Sequence, residues 1–142
     1  MSFKKLKDRI KKNEGYSDKP YKDQLGFYTI GYGHLITEKE NKYYVKKFKK
    51  KHFEELFEID FTKAHDQYKT NFFKKGHTNS EKELLIEMVF QLGAKGVSKF
   101  KKMLHFLNKK QKLMASLEML DSLWYLQTPE RVKSLIKNYT KK

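Results

Sequence analysis

The segment SEKELLIEMVFQLG at residues 80–93 decides the fold class. Its apolar residues lie nearly all round a helix, which is typical of a helix enclosed by other helices. Ser80 and Glu83 have the spacing of a capping box, so we predict that the helix begins there, and we expect Gly93 to end it. The segment therefore predicts the centre of a helical bundle.

The sequence before this helix is richer in turns than the sequence after it. Four of the seven glycines and one of the two prolines lie within residues 15–33. A turn signal at 23–26, followed by the strand formers of 27–30, predicts small antiparallel strands over residues 21–37. The lysine-rich run 38–51 is typical of a solvated helical face.

Further helical patterns complete an α+β, mostly helical class. Apolar residues recur at steps of three and four over residues 3–12 and 52–73, with Ser2 as a candidate N-cap of the first helix. Shorter patterns follow near 98–107 and 110–124. A last helix is predicted to begin at Thr128-Pro129, with a threonine N-cap and proline at the first helical position.

Composition limits the kinds of protein that this chain can be. The 142 residues favour one domain, or two lobes in one chain. Lysine and arginine number 32 against 17 acidic residues, a net charge of +15, which favours an anionic partner such as nucleic acid, acidic lipid or cell-wall polymer. The absence of cysteine excludes a disulfide scaffold and a thiol nucleophile.

Several special segments and sites are not expected. No apolar run is long enough for a transmembrane helix. The lysines of residues 1–12 are not followed by an apolar stretch, so we expect no secretory signal and a start in the cytoplasm. The five histidines never fall at metal-ligand spacing and no nucleotide fingerprint occurs, so no metal and no cofactor are expected.

Two carboxylates near the N-terminus suggest acid–base chemistry. Glu14 follows the first predicted helix, where the helix dipole disfavours an ionised carboxylate and so favours a proton donor. Asp23 lies nine residues later in a lysine-flanked turn, where ionisation is favoured. Two carboxyl groups with opposite environments are what glycoside hydrolysis requires.

The residues around this pair resemble those of the phage-type lysozymes. The family has a Glu, an Asp nine residues later and a Thr six residues after that, and Glu14, Asp23 and Thr29 keep both spacings. Three ordered blocks match. The first block is Glu14-Gly15 with Tyr21-Lys22-Asp23, 28–31 and 33–35. The second is 88–91 with Gly93, Gly96-Val97 and Phe100. The third is Trp124-Tyr125 with 127–129 and Arg131.

The resemblance implies a lysozyme-like, two-lobed fold, with a small N-terminal β-hairpin sheet and a C-terminal helical bundle. The N-terminal lobe would cover about 13–51, a linking helix about 52–73, and the helical lobe about 74–142 with helix 3–12 packed on it. It also implies hydrolysis of the β-1,4 bond between N-acetylmuramic acid and N-acetylglucosamine. Glu14 would be the general acid, Asp23 the base or electrostatic partner of the attacking water, and Thr29 would hold that water.

Other positions receive supporting roles from the same resemblance. Leu35 and Phe90 match residues that line the sugar cleft. Met103 and Glu118 fall at substrate-contact positions, although neither keeps the family's residue type. Arg131 matches an arginine beside the acid, and His34 and Asp60 match a structural pair.

The resemblance implies peptidoglycan as the partner of a monomeric phage endolysin. Such an enzyme would be made in the host cytoplasm and would reach the wall after a separate holin opens the membrane. A second hypothesis is a basic, aromatic nucleic-acid-binding helical protein without enzymatic activity. Arg9 and Arg131 are the only arginines, however, and this alternative leaves the spacing of Glu14, Asp23 and Thr29 unexplained.

Overall fold

A computed structural model describes residues 3–141, which form eight helices and three strands and confirm the α+β, mostly helical class. The candidate N-cap Ser2 lies outside these residues. In chain order the elements are α1 (Lys4–Glu14), β1 (Ser17–Lys22), β2 (Tyr28–Gly31), β3 (His34–Leu35), α2 (Lys42–Val45), α3 (Lys50–Asn71), α4 (Asn79–Ser98), α5 (Lys101–Asn108), α6 (Lys112–Leu120), α7 (Leu123–Gln127) and α8 (Pro129–Thr140).

The chain divides into two compact units, Met1–Lys63 and Ala64–Lys142. We call them the first and the second unit. Helix α3 begins in the first unit and ends in the second, and the predicted lobe boundaries stay a prediction. The predicted contact of helix 3–12 with the C-terminal lobe stays a prediction, because the contacts that the structure gives α1 are with the first part of α3. They include Lys7 Nζ at 2.8 Å from Glu58 Oε2.

Helix α1 buries Leu6 and Ile10, four residues apart on one face. It extends two residues beyond the predicted helix and ends at Glu14. Gly15 stops it with a φ of 75°, a left-handed value that glycine adopts without strain, and the Gly15 amide donates to the Lys11 carbonyl over 2.9 Å. The end of α1 therefore fixes where the Glu14 side chain begins.

The three strands form an antiparallel sheet in the order β1-β2-β3. Strand β1 begins at Ser17, four residues before the predicted start, and its pairing with β2 is irregular between Ser17 and Tyr21. Pro20 fits there because β1 is an edge strand and an edge residue needs no ladder amide. The register places Tyr21 opposite Thr29 and Ile30 opposite His34.

The core of the first unit explains why the prediction of one helical face over residues 38–51 was wrong. Only Lys42–Val45 is helical before α3 begins at Lys50. Tyr43 is buried, and Phe48 packs against the core of Ile30, Tyr43 and Phe53. Residues five apart do not share a helix face, so the chain must leave the helix for both aromatic rings to reach the core.

Helix α4 is buried in the second unit, as its sequence predicted. Its apolar side chains from Leu84 to Val89 are at most 2% exposed. Gly93 interrupts the helical backbone with a φ of 77° and a ψ of 160°, after which helical turns resume as far as Ser98. The glycine therefore kinks the helix instead of ending it.

The capping box of α4 lies two residues earlier than predicted. Thr78 Oγ1 accepts from the Glu81 amide over 3.2 Å, and the Thr78 amide donates to Glu81 Oε1 over 2.7 Å. Glu81 is buried and also pairs with Lys110 Nζ at 2.6 Å. The ion pair with the distant Lys110 favours Glu81 over Glu83 as the carboxylate of the capping box. The local pattern of Ser80 and Glu83 carries no information about that ion pair.

Of the two predictions about the start of α8, one is confirmed and one is wrong. Pro129 is the first residue of α8, as predicted, but the Thr128 side chain does not cap that helix. Its hydroxyl instead donates to the Trp124 carbonyl over 3.1 Å. Trp124 is buried, and its indole Nε1 donates to Gln91 Oε1 over 2.9 Å, so this ring is part of the core.

Candidate active site

The carboxyl group of Glu14 lies against Gly33, at the bend between β2 and β3. A Cβ atom added at Gly33 would be 2.5 Å from Glu14 Oε1 and 2.6 Å from its carboxyl carbon. Gly33 also has a φ of 78°, which disfavours any other residue. The bend therefore provides the space that the half-buried Glu14 side chain occupies.

Asp23 is fixed by the turn that joins β1 to β2. Its Oδ1 accepts from the backbone amides of Leu25 and Phe27, each over 2.9 Å. Its own amide donates to the Phe27 carbonyl over 2.9 Å. Within residues 3–141, Oδ2 is left without a hydrogen-bond partner, so one carboxylate oxygen is held and the other is open to a water or a substrate.

Thr29 is 2% exposed and lies on β2 opposite Tyr21. Its hydroxyl donates to the Phe27 carbonyl over 2.9 Å, which leaves the hydroxyl oxygen able to accept a hydrogen bond. The Phe27 backbone therefore holds both Asp23 and Thr29. A residue's backbone groups carry no sequence signal, so sequence analysis missed this link.

Tyr21 connects the two carboxyl groups electrostatically. Burial raises the pKa of Tyr21, and the nearby charges of Glu14 and Asp23 raise it further. Both carboxyl groups therefore act on one phenol. The sequence pattern could have identified Tyr21. Side chains alternate along a strand, and the turn at 23–26 brings Tyr21 on β1 opposite Thr29 on β2.

The predicted contact between His34 and Asp60 is present, and it includes a third partner. His34 Nδ1 lies 2.7 Å from Asp60 Oδ2, and Nε2 lies 3.0 Å from both carboxylate oxygens of Glu40. Glu40 Oε1 also accepts from the Thr37 amide and hydroxyl. This His34 clamp, formed by His34, Glu40 and Asp60, joins β3 to α3 through the segment before α2.

The clamp favours a doubly protonated imidazole. Burial lowers the pKa of His34, but its hydrogen bonds and charge interactions with Asp60 and Glu40 outweigh burial and raise it. Burial raises the pKa of Glu40, and hydrogen bonds from Thr37 and His34 reverse that effect and lower it. Each shift favours the charged form of the group.

The four predicted sugar-contact residues divide between the units. Leu35 is exposed on β3 of the first unit, whereas Phe90 on α4 and Glu118 on α6 are half-buried in the second. Met103 on α5 is 1% exposed and offers almost no surface to a substrate. Sugar contact by Leu35, Phe90 and Glu118 stays a prediction.

Arg131 on α8 is paired inside the second unit. Its guanidinium Nη2 lies 3.2 Å from Glu87 Oε2, and Glu87 is fully buried. A buried carboxylate needs such a partner, because an unpaired charge in the core costs several kcal/mol, on the order of 3–5. The predicted contact between Arg131 and Glu14 stays a prediction.

Two other kinds of site are absent from residues 3–141. No group of three histidine or acidic side chains is arranged to hold a metal ion. None of the helices in this part of the chain combines the length and apolar character needed to cross a bilayer.

Comparison with known proteins gives one consistent result. The sequence pattern of the family described as phage lysozyme matches residues 11–140. The chain is similar to two proteins of Dictyostelium discoideum described as probable T4-type lysozymes 2 and 1, with 36% and 34% identity. Each match covers 92% of this chain and 91% of the relative. The chain therefore belongs to the phage lysozyme family.

Proposed function

We propose that the protein is a muramidase that hydrolyses the β-1,4 bond between N-acetylmuramic acid and N-acetylglucosamine in peptidoglycan. The observation that carries the proposal is the setting of the two carboxyl groups. Glu14 lies in the space over Gly33, and Asp23 is locked in the β1–β2 turn with one oxygen open. Both act on the pKa of Tyr21. The membership of the phage lysozyme family supports the choice of substrate.

The proposed mechanism is a single displacement with general acid and general base. Glu14 gives its proton to the glycosidic oxygen as the bond from that oxygen to the anomeric carbon breaks. A water attacks the same carbon from the opposite face and gives its proton to Asp23 Oδ2. Thr29 accepts a hydrogen bond from this water, because its own hydroxyl hydrogen is directed to Phe27. Such a displacement inverts the anomeric centre.

The proposed sugar contacts are Leu35, Phe90 and Glu118. Leu35 is next to His34 on β3, and its exposed side chain could cover an apolar sugar face. Phe90 and Glu118 are half-buried and keep part of their surface accessible. We do not include Met103 because its side chain is buried.

Analysis of the products tests the proposal against its alternatives. Purified peptidoglycan would be digested, reduced with borohydride and examined by mass spectrometry. A muramidase leaves N-acetylmuramic acid at each new reducing end, so we expect reduced muramic acid in every fragment. Reduced glucosamine ends would identify a different glycosidase. Intact wall together with tight binding in a DNA mobility-shift assay would favour the nucleic-acid-binding alternative.

We also propose a role in host lysis, in which a separate holin gives a monomeric enzyme access to the wall from the host cytoplasm. The family description names phages, which suggests this setting, whereas the two similar proteins reported above are from Dictyostelium discoideum. Expression in a Gram-negative host should be tolerated until the inner membrane is permeabilised, and should then cause rapid lysis. Lysis of the culture before permeabilisation would contradict the need for a holin.

A further inference from the structure

Glu54 on α3 binds two other segments of the first unit at the same time. Its Oε2 accepts a hydrogen bond from Lys11 Nζ over 2.9 Å, and its Oε1 accepts from the Tyr32 hydroxyl over 3.0 Å. Hydrogen bonds to a carboxylate are shorter and stronger than those between neutral groups. The two oxygens of this one carboxylate therefore join α1 and α3 to the bend between β2 and β3.

Both partners of Glu54 lie beside parts of the chain that place the Glu14 side chain. Lys11 precedes Glu14 by three residues on α1, which is nearly one helical turn. Tyr32 is the residue before Gly33, and the Glu14 carboxyl group lies against Gly33. Each of the two bonds therefore restrains one side of the contact between Glu14 and Gly33.

Aromatic rings hold the same segments together. The centroids of the Tyr16 and Tyr32 rings are 4.9 Å apart, so the chain just after α1 packs on the bend. Lys11 Nζ lies 5.1 Å from the centre of the Tyr32 ring and 4.9 Å from that of the Phe57 ring, within the range of cation–π attraction. Two rings as well as the Glu54 carboxylate therefore define the position of the Lys11 ammonium.

The ionisation states of the cluster favour both bonds to Glu54. The hydrogen bond from Lys11 is the largest influence on the pKa of Glu54 and lowers it, so this group is a carboxylate at neutral pH. Burial, together with the hydrogen bond to Glu54, raises the pKa of Tyr32 to about 12, so the phenol keeps the proton that it donates. The Glu54 side chain is 42% exposed, and ion pairs with that exposure contribute little to stability.

We propose that Glu54 is a positioning residue for the general acid. Through Lys11 and Tyr32, its carboxylate keeps the end of α1 that carries Glu14 in a fixed relation to the bend at Gly33. A reacting group that is misplaced by about 1 Å can cost on the order of 10²-fold in rate, so loosening this bridge should slow the reaction. The inference rests on the proposed function, since positioning has a catalytic effect only if Glu14 is the acid.

Two matched substitutions on α3 test this proposal. Glu54→Gln keeps the shape of the side chain and removes the charge that pairs with Lys11. The control is Glu58→Gln. Glu58 Oε2 lies 2.8 Å from Lys7 Nζ, so this pair also joins α1 to α3, but Lys7 is about two turns before Glu14. Both glutamates are exposed, so both variants should fold, as circular dichroism and urea unfolding would verify.

Initial rates on soluble peptidoglycan fragments give kcat and KM separately. We expect Glu54→Gln to lower kcat about tenfold without changing KM, and Glu58→Gln to act like wild type. Tyr32→Phe, which removes only the hydroxyl that donates to Glu54, should lower kcat in the same direction. A merely structural role would lower the urea midpoint of Glu54→Gln and leave the kcat of the folded enzyme unchanged. Equal kcat values for Glu54→Gln and Glu58→Gln would overturn the inference.

An NMR titration separates a failure of this inference from a failure of the proposed function. Because the Glu14 carboxyl group lies against Gly33, its protonation should shift the Gly33 amide resonance in wild type. This shift should be smaller in Glu54→Gln and unchanged in Glu58→Gln, and an equal shift in the two variants would overturn the inference. A wild-type enzyme that leaves peptidoglycan intact would refute the proposed function, whereas the Gly33 shift would still show whether Glu54 holds Glu14 in place.

Discussion

A single glycine gives the proposed catalytic acid its place. Gly33 has a positive φ, and the Glu14 carboxyl group occupies the position that a Cβ atom would need. Two different physical constraints therefore act at residue 33, one on the backbone and one on the space above it. Only the second concerns the acid directly, and the two can be separated by substitution.

Replacing Gly33 with alanine should displace Glu14 and reduce lysis by on the order of 10²-fold, the contribution of a positioned acid. The positive φ should also cost about 1–2 kcal/mol of stability. Gly93→Ala is the control, because residue 93 has a φ of 77° and an added Cβ would meet nothing within 4 Å. Turbidity assays and urea unfolding of both variants would measure the effects. Equal activity of the two variants would show that Gly33 does not position the acid.

The His34 clamp makes stability depend on pH in a defined window. The pKa of His34 is raised in the folded protein. Its contribution to the free energy of unfolding is therefore complete below the pKa of about 6.5 that it has in the unfolded chain, and is lost as pH rises through the raised pKa. The pKa of Glu40 is lowered in the folded protein. Its contribution to the free energy of unfolding is therefore complete above the pKa of about 4.3 that it has in the unfolded chain, and is lost as pH falls through the lowered pKa. The two contributions coexist in full between those values.

Removing both acidic partners should reverse the shift of His34. In Asp60→Asn/Glu40→Gln only burial acts on the imidazole, so the pKa of His34 should fall from above its ordinary value to below it. The variant should lose more stability at pH 5.5 than at pH 8.5, where His34 is already losing its proton. NMR titration and thermal unfolding at the two pH values measure this, with Glu38→Gln as control. A His34 pKa that does not change, or an equal loss at both pH values, would contradict the clamp.

At the scale of elements, the sequence predicted the helices better than the segments between them. Local signals are sufficient for α1, for the burial of α4 and for Pro129 at the start of α8, because spacing and turn chemistry are properties of neighbouring residues. They fail where a distant contact decides. Glu81 caps α4 while it pairs with Lys110, and residues 38–51 leave a helix to bury Tyr43 and Phe48.

The same limit applies to the candidate site. Resemblance identified Glu14, Asp23, Thr29 and the pair of His34 with Asp60. Glu40 was missed because an acidic residue in a lysine-rich run has no local pattern that distinguishes a clamp from a solvated charge. The local sequence around Gly33 does not indicate its contact with Glu14, since that close approach follows from tertiary structure.

Two substitutions distinguish the observed cap of α4 from the one that the sequence favoured. Thr78→Ala removes the hydroxyl that accepts from Glu81, and should reduce the free energy of unfolding by about 1 kcal/mol. Ser80→Ala should change it by less than about 0.5 kcal/mol, as for other surface substitutions. Urea unfolding of the two variants gives the comparison. A greater loss in Ser80→Ala would place the cap at Ser80.

For the whole molecule, the net charge of +15 should act on capture of the wall. Exposed charges attract an anionic surface over distances that salt screens, so activity on whole walls should fall as ionic strength rises. Activity on a short uncharged chito-oligosaccharide should change little. Initial rates on both substrates across a salt series test this. An equal response of both substrates would show that salt acts on folding or on the site itself.

The most direct test of the central claim is the activity of Glu14→Gln and Asp23→Asn on purified peptidoglycan. Both substitutions keep the shape of the side chain and remove its acid–base function. Glu14→Gln should abolish detectable release of reducing ends, and Asp23→Asn should slow it by on the order of 10²-fold or more. Glu38→Gln, the control, should act like wild type. Wild-type rates from a purified, folded Glu14→Gln variant would contradict the account.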